Sequence, residues 1–204
     1  MKKRRSAFVL ILLLAALAAA PAVVGAADAN IELNVNSDDV EGRFDVKLNP
    51  FETPMSAGGG YLYSNDDEKY WIANASINIK DEVFVPALSL GLGLKGVYGN
   101  TDFGPYDRDT AALGFQFLGE YDFRKFRANL PFSITAALTF APDILSFNDT
   151  DKYVEFETAA YFHINYFAAV FVKYRDLQID YTSSGFQDRN LSDDAFYLGI
   201  RLSF

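Results

Sequence analysis

The single histidine of the sequence, His163, is the side chain best suited to acid–base chemistry near neutral pH. Hydrolases that use such a base pair it with a nucleophilic serine and an acidic residue, and many place the serine in a G-x-S-x-G turn. The sequence contains no such turn and no evident Ser/His/Asp spacing. We therefore interpret His163 as a structural residue, and we predict neither enzymatic activity nor a bound cofactor.

Acidic residues offer a second kind of chemistry, the binding of divalent cations. The chain carries 27 acidic and 18 basic residues, a formal net charge of −9 that disfavours binding to nucleic acid. Asp149 and Asp151 belong to an Asn-Asp-Thr-Asp run that offers oxygen ligands but lacks the glycine and the distal glutamate of an EF-hand loop. These two residues are candidate ligands for Ca²⁺ or Mg²⁺ that would bridge to lipopolysaccharide phosphates. The alternative is that the acidic loops are only solvated.

The elements that position these residues are short strands with one apolar face. In the last nine residues of the chain, apolar side chains occupy every second position and therefore share one face of a strand. They are Phe196, Leu198, Ile200, Leu202 and Phe204. A chain that ends on an aromatic residue, on the apolar face of its final strand, resembles the C-terminal assembly signal of bacterial outer-membrane barrels. We interpret these five residues as such a signal.

Ten segments of this kind follow residue 27, and six of the seven prolines fall in connections or at segment starts. A strand of nine or ten residues, tilted by about 40°, is about 25 Å tall, which matches the apolar band of outer-membrane barrels. The sequence thus predicts an all-β fold, a transmembrane antiparallel up-and-down β-barrel of about ten strands whose last strand closes against Ile31, Leu33 and Val35. Eight strands are possible because the turn at 122–131 is long for an inner turn.

The first 26 residues have the pattern of a secretory signal peptide. Positions 2–5 are basic, positions 7–20 form an apolar run, and Val24, Gly25 and Ala26 provide a small-residue cleavage site. The apolar run spans only about 21 Å as a helix, too short for a membrane anchor. We therefore expect a mature barrel domain of residues 27–204, with 14 basic and 27 acidic residues and a net charge of −13. The absence of cysteine excludes disulfides and a lipid-modified N-terminal cysteine.

The polar faces of the segments carry acidic and basic residues in equal number, a set that can form pairs inside a lumen. The same set would be acceptable on the exterior of a soluble barrel. Aromatic residues near both ends of the apolar faces, such as Tyr63, Trp71 and Tyr121, match the girdles of a membrane barrel and favour the first alternative. The predicted lumen charges are Glu32, Glu41, Arg43, Asp45, Lys47, Lys95, Glu120, Glu155, Glu157, Lys173, Arg175 and Arg201.

Several short motifs occur in an order that resembles the YfaZ-like outer-membrane proteins. They are K-G-V-Y at 95–98, A-P-D-I-L-S at 141–146 followed by Y-V-E at 153–155, K-Y-R at 173–175, and Y-L-G at 197–199 before the final phenylalanine. The resemblance implies an outer-membrane location and a small barrel, and it supplies no catalytic residues. The sequence departs from that family in its acidic outer loops and in a glycine-rich third segment.

These observations predict an outer-membrane protein with a structural role or a narrow porin-like channel. Small barrels are usually filled by their own side chains, which favours a closed lumen, whereas the acidic mouth favours a cation-preferring pore. The expected partners are outer-membrane lipid, lipopolysaccharide and the barrel assembly machinery, which would bind the last strand. The alternative is a soluble periplasmic lipocalin-like barrel that binds a small apolar ligand.

Overall fold

The structure is a computed structural model that describes residues 28–48, 54–66, 68–104, 107–126, 130–182 and 190–204. The predicted signal peptide and its cleavage site lie outside these residues. Eleven strands form one antiparallel sheet: β1 (Ala29–Val35), β2 (Asp39–Leu48), β3 (Met55–Asn65), β4 (Lys69–Glu82), β5 (Leu88–Asp102), β6 (Asp107–Asp122), β7 (Phe132–Ala141), β8 (Ser146–Asn148), β9 (Thr150–His163), β10 (Ala168–Tyr181) and β11 (Asn190–Ser203). A helical turn, α1 (Phe123–Phe126), follows β6, and a 3₁₀ turn (Asp143–Leu145) precedes β8. No helix in these ranges is long and apolar enough to cross a membrane.

The sheet closes on itself through its first and last strands. In the pairing of β1 with β11, Ile31 lies opposite Leu202 and Leu33 opposite Ile200. The short strand β8 continues the line of β7, because both pair with β6. With β7 and β8 counted as one, the barrel wall has ten strand positions, which we call staves. The predicted ten-stranded up-and-down topology is confirmed.

The two faces of the barrel wall differ in polarity in the predicted sense. Outward side chains such as Leu92, Phe117 and Leu198 expose 61%, 51% and 66% of their surface. Inward side chains such as Lys95 and Arg175 are 3% and 0% exposed. A lipocalin-like calyx would have the reverse arrangement, with its apolar face inside. The apolar exterior is that of a barrel surrounded by lipid.

Aromatic contacts occur on the exterior near both ends of the barrel. At one end the ring of Trp71 lies 6.0 Å from that of Tyr61 and 5.8 Å from that of Tyr98, measured between centroids. At the other end Phe132 and Phe162 meet at 5.2 Å. These pairs occupy the positions of the two interfacial girdles.

Several strands extend further than the sequence pattern predicts. The alternation of apolar residues predicts outer loops at 99–109 and 182–194, yet β5 runs to Asp102, β6 begins at Asp107 and β11 begins at Asn190. The expected loop boundaries are therefore wrong at these points. The strand ends continue beyond the apolar band because their inward side chains remain apolar and buried, as at Leu191, while the outward ones become polar.

We predict that Leu94→Arg destabilises the barrel by about 2–4 kcal/mol, since the new charge would face the hydrocarbon near the middle of β5. The free energy of unfolding should be measured by denaturant titration of the protein in lipid vesicles. The matched control is Val85→Arg in the turn between β4 and β5, for which we expect a cost of about 0–1 kcal/mol. Equal costs at the two positions would contradict a bilayer around Leu94.

Candidate functional site in the barrel lumen

The side chains that point into the lumen change from apolar to charged to small and polar along the barrel axis. We call the end where β1 begins and β11 ends the inner end, and the opposite end the outer end. At the outer end the inward side chains form an apolar cap, which consists of Leu62, Tyr70, Ile72, Val97, Phe103, Ala112, Ala141, Tyr153, Leu177, Ile179, Tyr181 and Leu191. All of these side chains are buried.

The cap is packed tightly enough to exclude solvent from its centre. Leu177 and Ile179 are 0% exposed, and Tyr153 is 1% exposed. The ring of Phe103 lies edge-on to Tyr181 at 5.7 Å. The Tyr181 hydroxyl lies 2.7 Å and 2.8 Å from the hydroxyl oxygens of Thr101 and Thr110, so its polar group is satisfied inside the cap.

Directly below the cap lies a charged belt, which consists of Glu41, Arg43, Lys95, Glu155, Glu157 and Lys173. Arg43 joins two carboxylates, with Nε 2.6 Å from Oε1 of Glu41 and Nη1 2.9 Å from Oε2 of Glu157. Lys173 binds Glu41 and lies 3.6 Å from Glu157. Lys95 binds Glu155 across the lumen. The belt therefore compensates three bases with three acids at one level of the barrel.

Neutral groups complete the hydrogen bonding of two belt carboxylates. Asn34 donates to Oε2 of Glu41 at 2.7 Å, and the Tyr153 hydroxyl donates to Oε2 of Glu155 at 2.9 Å. Such bonds are needed because a buried carboxylate without donors would be strongly destabilising.

Arg175 lies where the belt meets the cap and is only partly satisfied. Its Nη2 donates to the Tyr70 hydroxyl at 2.6 Å and to Asp193 at 3.0 Å. Its Nε and Nη1 have no hydrogen-bond partner among the described residues. The guanidinium carbon lies 5.1 Å from the ring centroid of Tyr197, and this cation–π contact offsets part of the lost hydration.

Below the belt, a cavity of about 700 Å³ opens at the inner end, and we call it the vestibule. One wall, formed by β3, β4 and β5, presents only small or polar side chains over much of its height. They are Ser56, Gly58, Asn74, Ser76, Asn78, Ser89, Gly91 and Gly93. On the opposite wall Arg201 lies 3.8 Å above the Tyr161 ring, and its Nε donates to Glu32 at 2.6 Å.

His163 lies at the rim of the vestibule between a serine and an arginine. Its Nε2 is 2.8 Å from Oγ of Ser133, and its Nδ1 is 3.0 Å from Nη1 of Arg124. Arginine can only donate, so Nδ1 must accept and the proton of the neutral ring is assigned to Nε2. Arg124 also forms two bonds of 2.8 Å to Asp122, which raise the pKa of its guanidinium.

The structure distributes the predicted lumen charges between two levels. Six of them form the belt, and Arg175 lies directly above it. The vestibule is lined by the remaining five, which are Glu32, Asp45, Lys47, Glu120 and Arg201. Four residues of the predicted assembly signal, Phe196, Leu198, Ile200 and Leu202, lie on the outward face of β11. The fifth, Phe204, follows the strand and pairs with Ala29 through two backbone hydrogen bonds.

The candidate metal ligands lie at the outer end and already have protein partners. Oδ2 of Asp149 accepts from the backbone N–H of Asp109 at 3.0 Å, and Asp151 accepts from the Thr182 hydroxyl at 2.6 Å. Within the described ranges no group of three or more acidic or histidine side chains is placed to hold a metal ion. Calcium binding at this loop stays a prediction.

Sequence reasoning missed the apolar cap. The sequence pattern that could have predicted the cap is present in β10, where Leu177, Ile179 and Tyr181 continue the inward positions of Lys173 and Arg175. The sequence pattern predicts no element at these three residues, because the outward positions that alternate with them, Asp176, Gln178 and Asp180, are polar.

We predict that Lys95→Met destabilises the protein by about 3–5 kcal/mol, because the carboxyl group of Glu155 would be left buried without its basic partner. Denaturant titration in vesicles measures the free energy of unfolding. Adding Glu155→Gln should recover a large part of the loss. The control Lys47→Met removes an exposed pair with Asp28 and should cost less than about 1 kcal/mol. A neutral effect of Lys95→Met would show that the pair is hydrated.

Several solved structures of outer-membrane proteins are similar to this chain. The NanC porin has 12% identity and a TM-score of 0.43, over 87% of this chain and 99% of that one. The KdgM porin in complex with disordered oligogalacturonate has 9% identity and a TM-score of 0.41, with the same coverage. Neisserial surface protein A has 13% identity and a TM-score of 0.36, over 87% of this chain and 94% of that one. The comparison with curated protein sequences gave no match.

The family model described as YfaZ precursor matches residues 1–204, which is the whole of the chain. This match agrees with the motifs that run from K-G-V-Y to Y-L-G and with a closed barrel whose exterior is apolar. The predicted outer-membrane location is confirmed with it. The chain belongs to the YfaZ family and is an outer-membrane β-barrel protein.

Proposed function

We propose that this protein is a structural outer-membrane barrel whose lumen is closed to ions. The observation that carries the proposal is the apolar cap, which draws residues from eight of the ten staves. An ion that crossed it would have to lose its hydration shell among aliphatic and aromatic side chains, and apolar constrictions of this kind exclude water as well. The belt adds a second barrier, since its charges are already paired with one another.

The orientation of the barrel follows from its chain ends. In bacterial barrels with an even number of strands both ends lie on the periplasmic side. The inner end with the vestibule therefore faces the periplasm, and the cap faces the cell exterior. A narrow porin-like channel is the second candidate, and the vestibule favours it because it provides an open path with a polar lining from the inner end to the belt.

We expect no reproducible conductance steps when the refolded wild-type protein is inserted into planar bilayers. The double substitution Leu177→Ser and Ile179→Ser should produce steps, because it introduces hydroxyl groups into the centre of the cap. The matched control is Val170→Ser with Val172→Ser, two lipid-facing positions on the same strand. Regular steps from the wild-type protein would refute the closed barrel and support the channel.

The contact between Ser133 and His163 supports a non-enzymatic role. A hydrolytic dyad requires Nε2 to accept the serine proton. Here Arg124 occupies Nδ1 as a donor, so that Nε2 is protonated and donates to the serine hydroxyl instead. We propose that the three residues fix the inner rim of the barrel between β7, β9 and α1.

We also propose that the last strand serves as the signal for the barrel assembly machinery, after a signal peptide has been cleaved behind Ala26. The outward side chains of β11 form a continuous apolar ridge that ends at Phe204. Outer-membrane lipid surrounds this surface, and lipopolysaccharide would contact the acidic outer loops through bridging cations.

Deletion of Phe204 is expected to lower the amount of assembled barrel in the outer membrane, because it removes both the terminal aromatic ring and two backbone bonds to Ala29. The substitution Phe204→Ala keeps the backbone bonds and isolates the ring, while Phe204→Trp keeps an aromatic end and should assemble normally. Heat-modifiable mobility of membrane fractions on gels measures the folded amount. Wild-type levels after the deletion would count against the assembly signal.

A further inference from the structure

We propose that the vestibule is a binding site for a small uncharged polyhydroxyl solute, a saccharide or a polyol, which enters from the periplasm. The site is independent of the cap, because the belt lies between them and its side chains form the upper limit of the vestibule. It would exist in a closed barrel and in a channel alike.

The size of the vestibule is that of a ligand site. Its volume of about 700 Å³ falls within the range of about 300–1,000 Å³ typical of small-molecule pockets. The space exists because the wall of β3, β4 and β5 carries glycine, serine and asparagine. At Gly93 a Cβ atom would clash with Oδ1 of Asn78 and with the carbonyl oxygen of Ile77, so no side chain fits there without a shift of the neighbouring strand.

The charges of the vestibule argue against a charged ligand. Each basic side chain that lines it has a carboxylate partner. The pairs outside the belt are Lys47 with Asp28, Lys80 with Glu120, Arg124 with Asp122, Lys125 with Glu82, and Arg201 with Glu32. No uncompensated basic side chain therefore remains in the described lining to recruit an anion.

The carboxylate of Asp45 is the acceptor in the lining that a ligand hydroxyl can reach. Asp45 lines the cavity and accepts hydrogen bonds from the side chains of Ser56 and Asn30, and its carboxylate forms no ion pair with a described residue. A ligand hydroxyl can donate to either carboxylate oxygen. A cationic ligand would also meet Lys80, Arg43 and Arg201 in the same lining, which disfavours it.

The mouth of the vestibule adds an apolar contact of the kind that sugar rings use. Tyr166 and Phe167 line the opening and are 92% and 68% exposed. An aromatic ring packs against the C–H face of a pyranose by dispersion, while the hydroxyls of the sugar point to the polar wall. Hydroxyl and amide groups within, a carboxylate without an ionic partner, and aromatic rings at the rim together match an uncharged polyhydroxyl solute.

Ligand binding should be measured on the refolded full barrel in a detergent without a sugar headgroup, such as lauryldimethylamine oxide. The probes are glucose, trehalose, sucrose and sorbitol, with spermidine and citrate as charged comparisons, in saturation-transfer NMR and calorimetric titration. We expect saturable binding of at least one uncharged probe. Ser76→Leu fills the vestibule and should weaken that binding by about tenfold or more. Ala75→Leu, one position away on the lipid-facing side, should leave it unchanged.

Asp45→Asn is a second variant, nearly isosteric, and it should also weaken binding because a charge-assisted acceptor is lost. Heat-modifiable mobility verifies that each variant is folded. The proposal is overturned if none of the four uncharged probes binds saturably, if Ser76→Leu and Asp45→Asn both bind as the wild type does, or if a charged probe binds more tightly. None of these results bears on the conductance of the cap, so failure here is distinguishable from failure of the closed-barrel proposal.

Discussion

Within the hydrocarbon layer every backbone N–H and C=O group must find its partner inside the protein, and the rest of this structure depends on that constraint. It is met at the seam, where β1 pairs with the inner half of β11 and Phe204 closes the last bonds to Ala29. β1 has only seven residues, whereas β11 has fourteen. The outer half of β11 pairs with β10 alone among the described strands, as is permissible where the sheet extends beyond lipid into water.

In a soluble protein the apolar side chains face inward and the charged ones outward, whereas in a barrel closed within lipid the apolar side chains face outward and the charged ones face the lumen. A small lumen holds little water, so each charge there needs an opposite partner and neutral donors as well. The belt satisfies this requirement by sharing: Arg43 and Lys173 each contact both Glu41 and Glu157. Once ordered for one contact, each side chain makes the second at a small additional entropic cost. The interior is thus held together by a network and not by isolated pairs.

The sequence predicted the features that repeat with the strand period and missed those that depend on three-dimensional neighbours. Alternation is a local property, so the ten staves, the outward face of Leu198 and the inward face of Lys95 were all predictable. The partner of Lys95 was not, because Glu155 is 60 residues away and the pairing depends on how staves face each other across the lumen. The contact of His163 with Arg124 was likewise hidden, since it requires the turn α1 to fold beneath the barrel.

The difference between the two ends of the lumen arises from side-chain volume and not from the backbone. The same ten staves enclose both ends, and the pairing is continuous along most of them. In β10 the inward residues change from Tyr181 and Leu177 at the outer end, through Lys173 and Phe171, to Ala169 at the inner end. On the other side, β4 changes from Tyr70 to Ser76 in the same direction. Large side chains meet at the axis and close the outer end, whereas small ones leave the inner end open. The direction of access therefore follows from the small inward residues at the inner ends of β4 and β5.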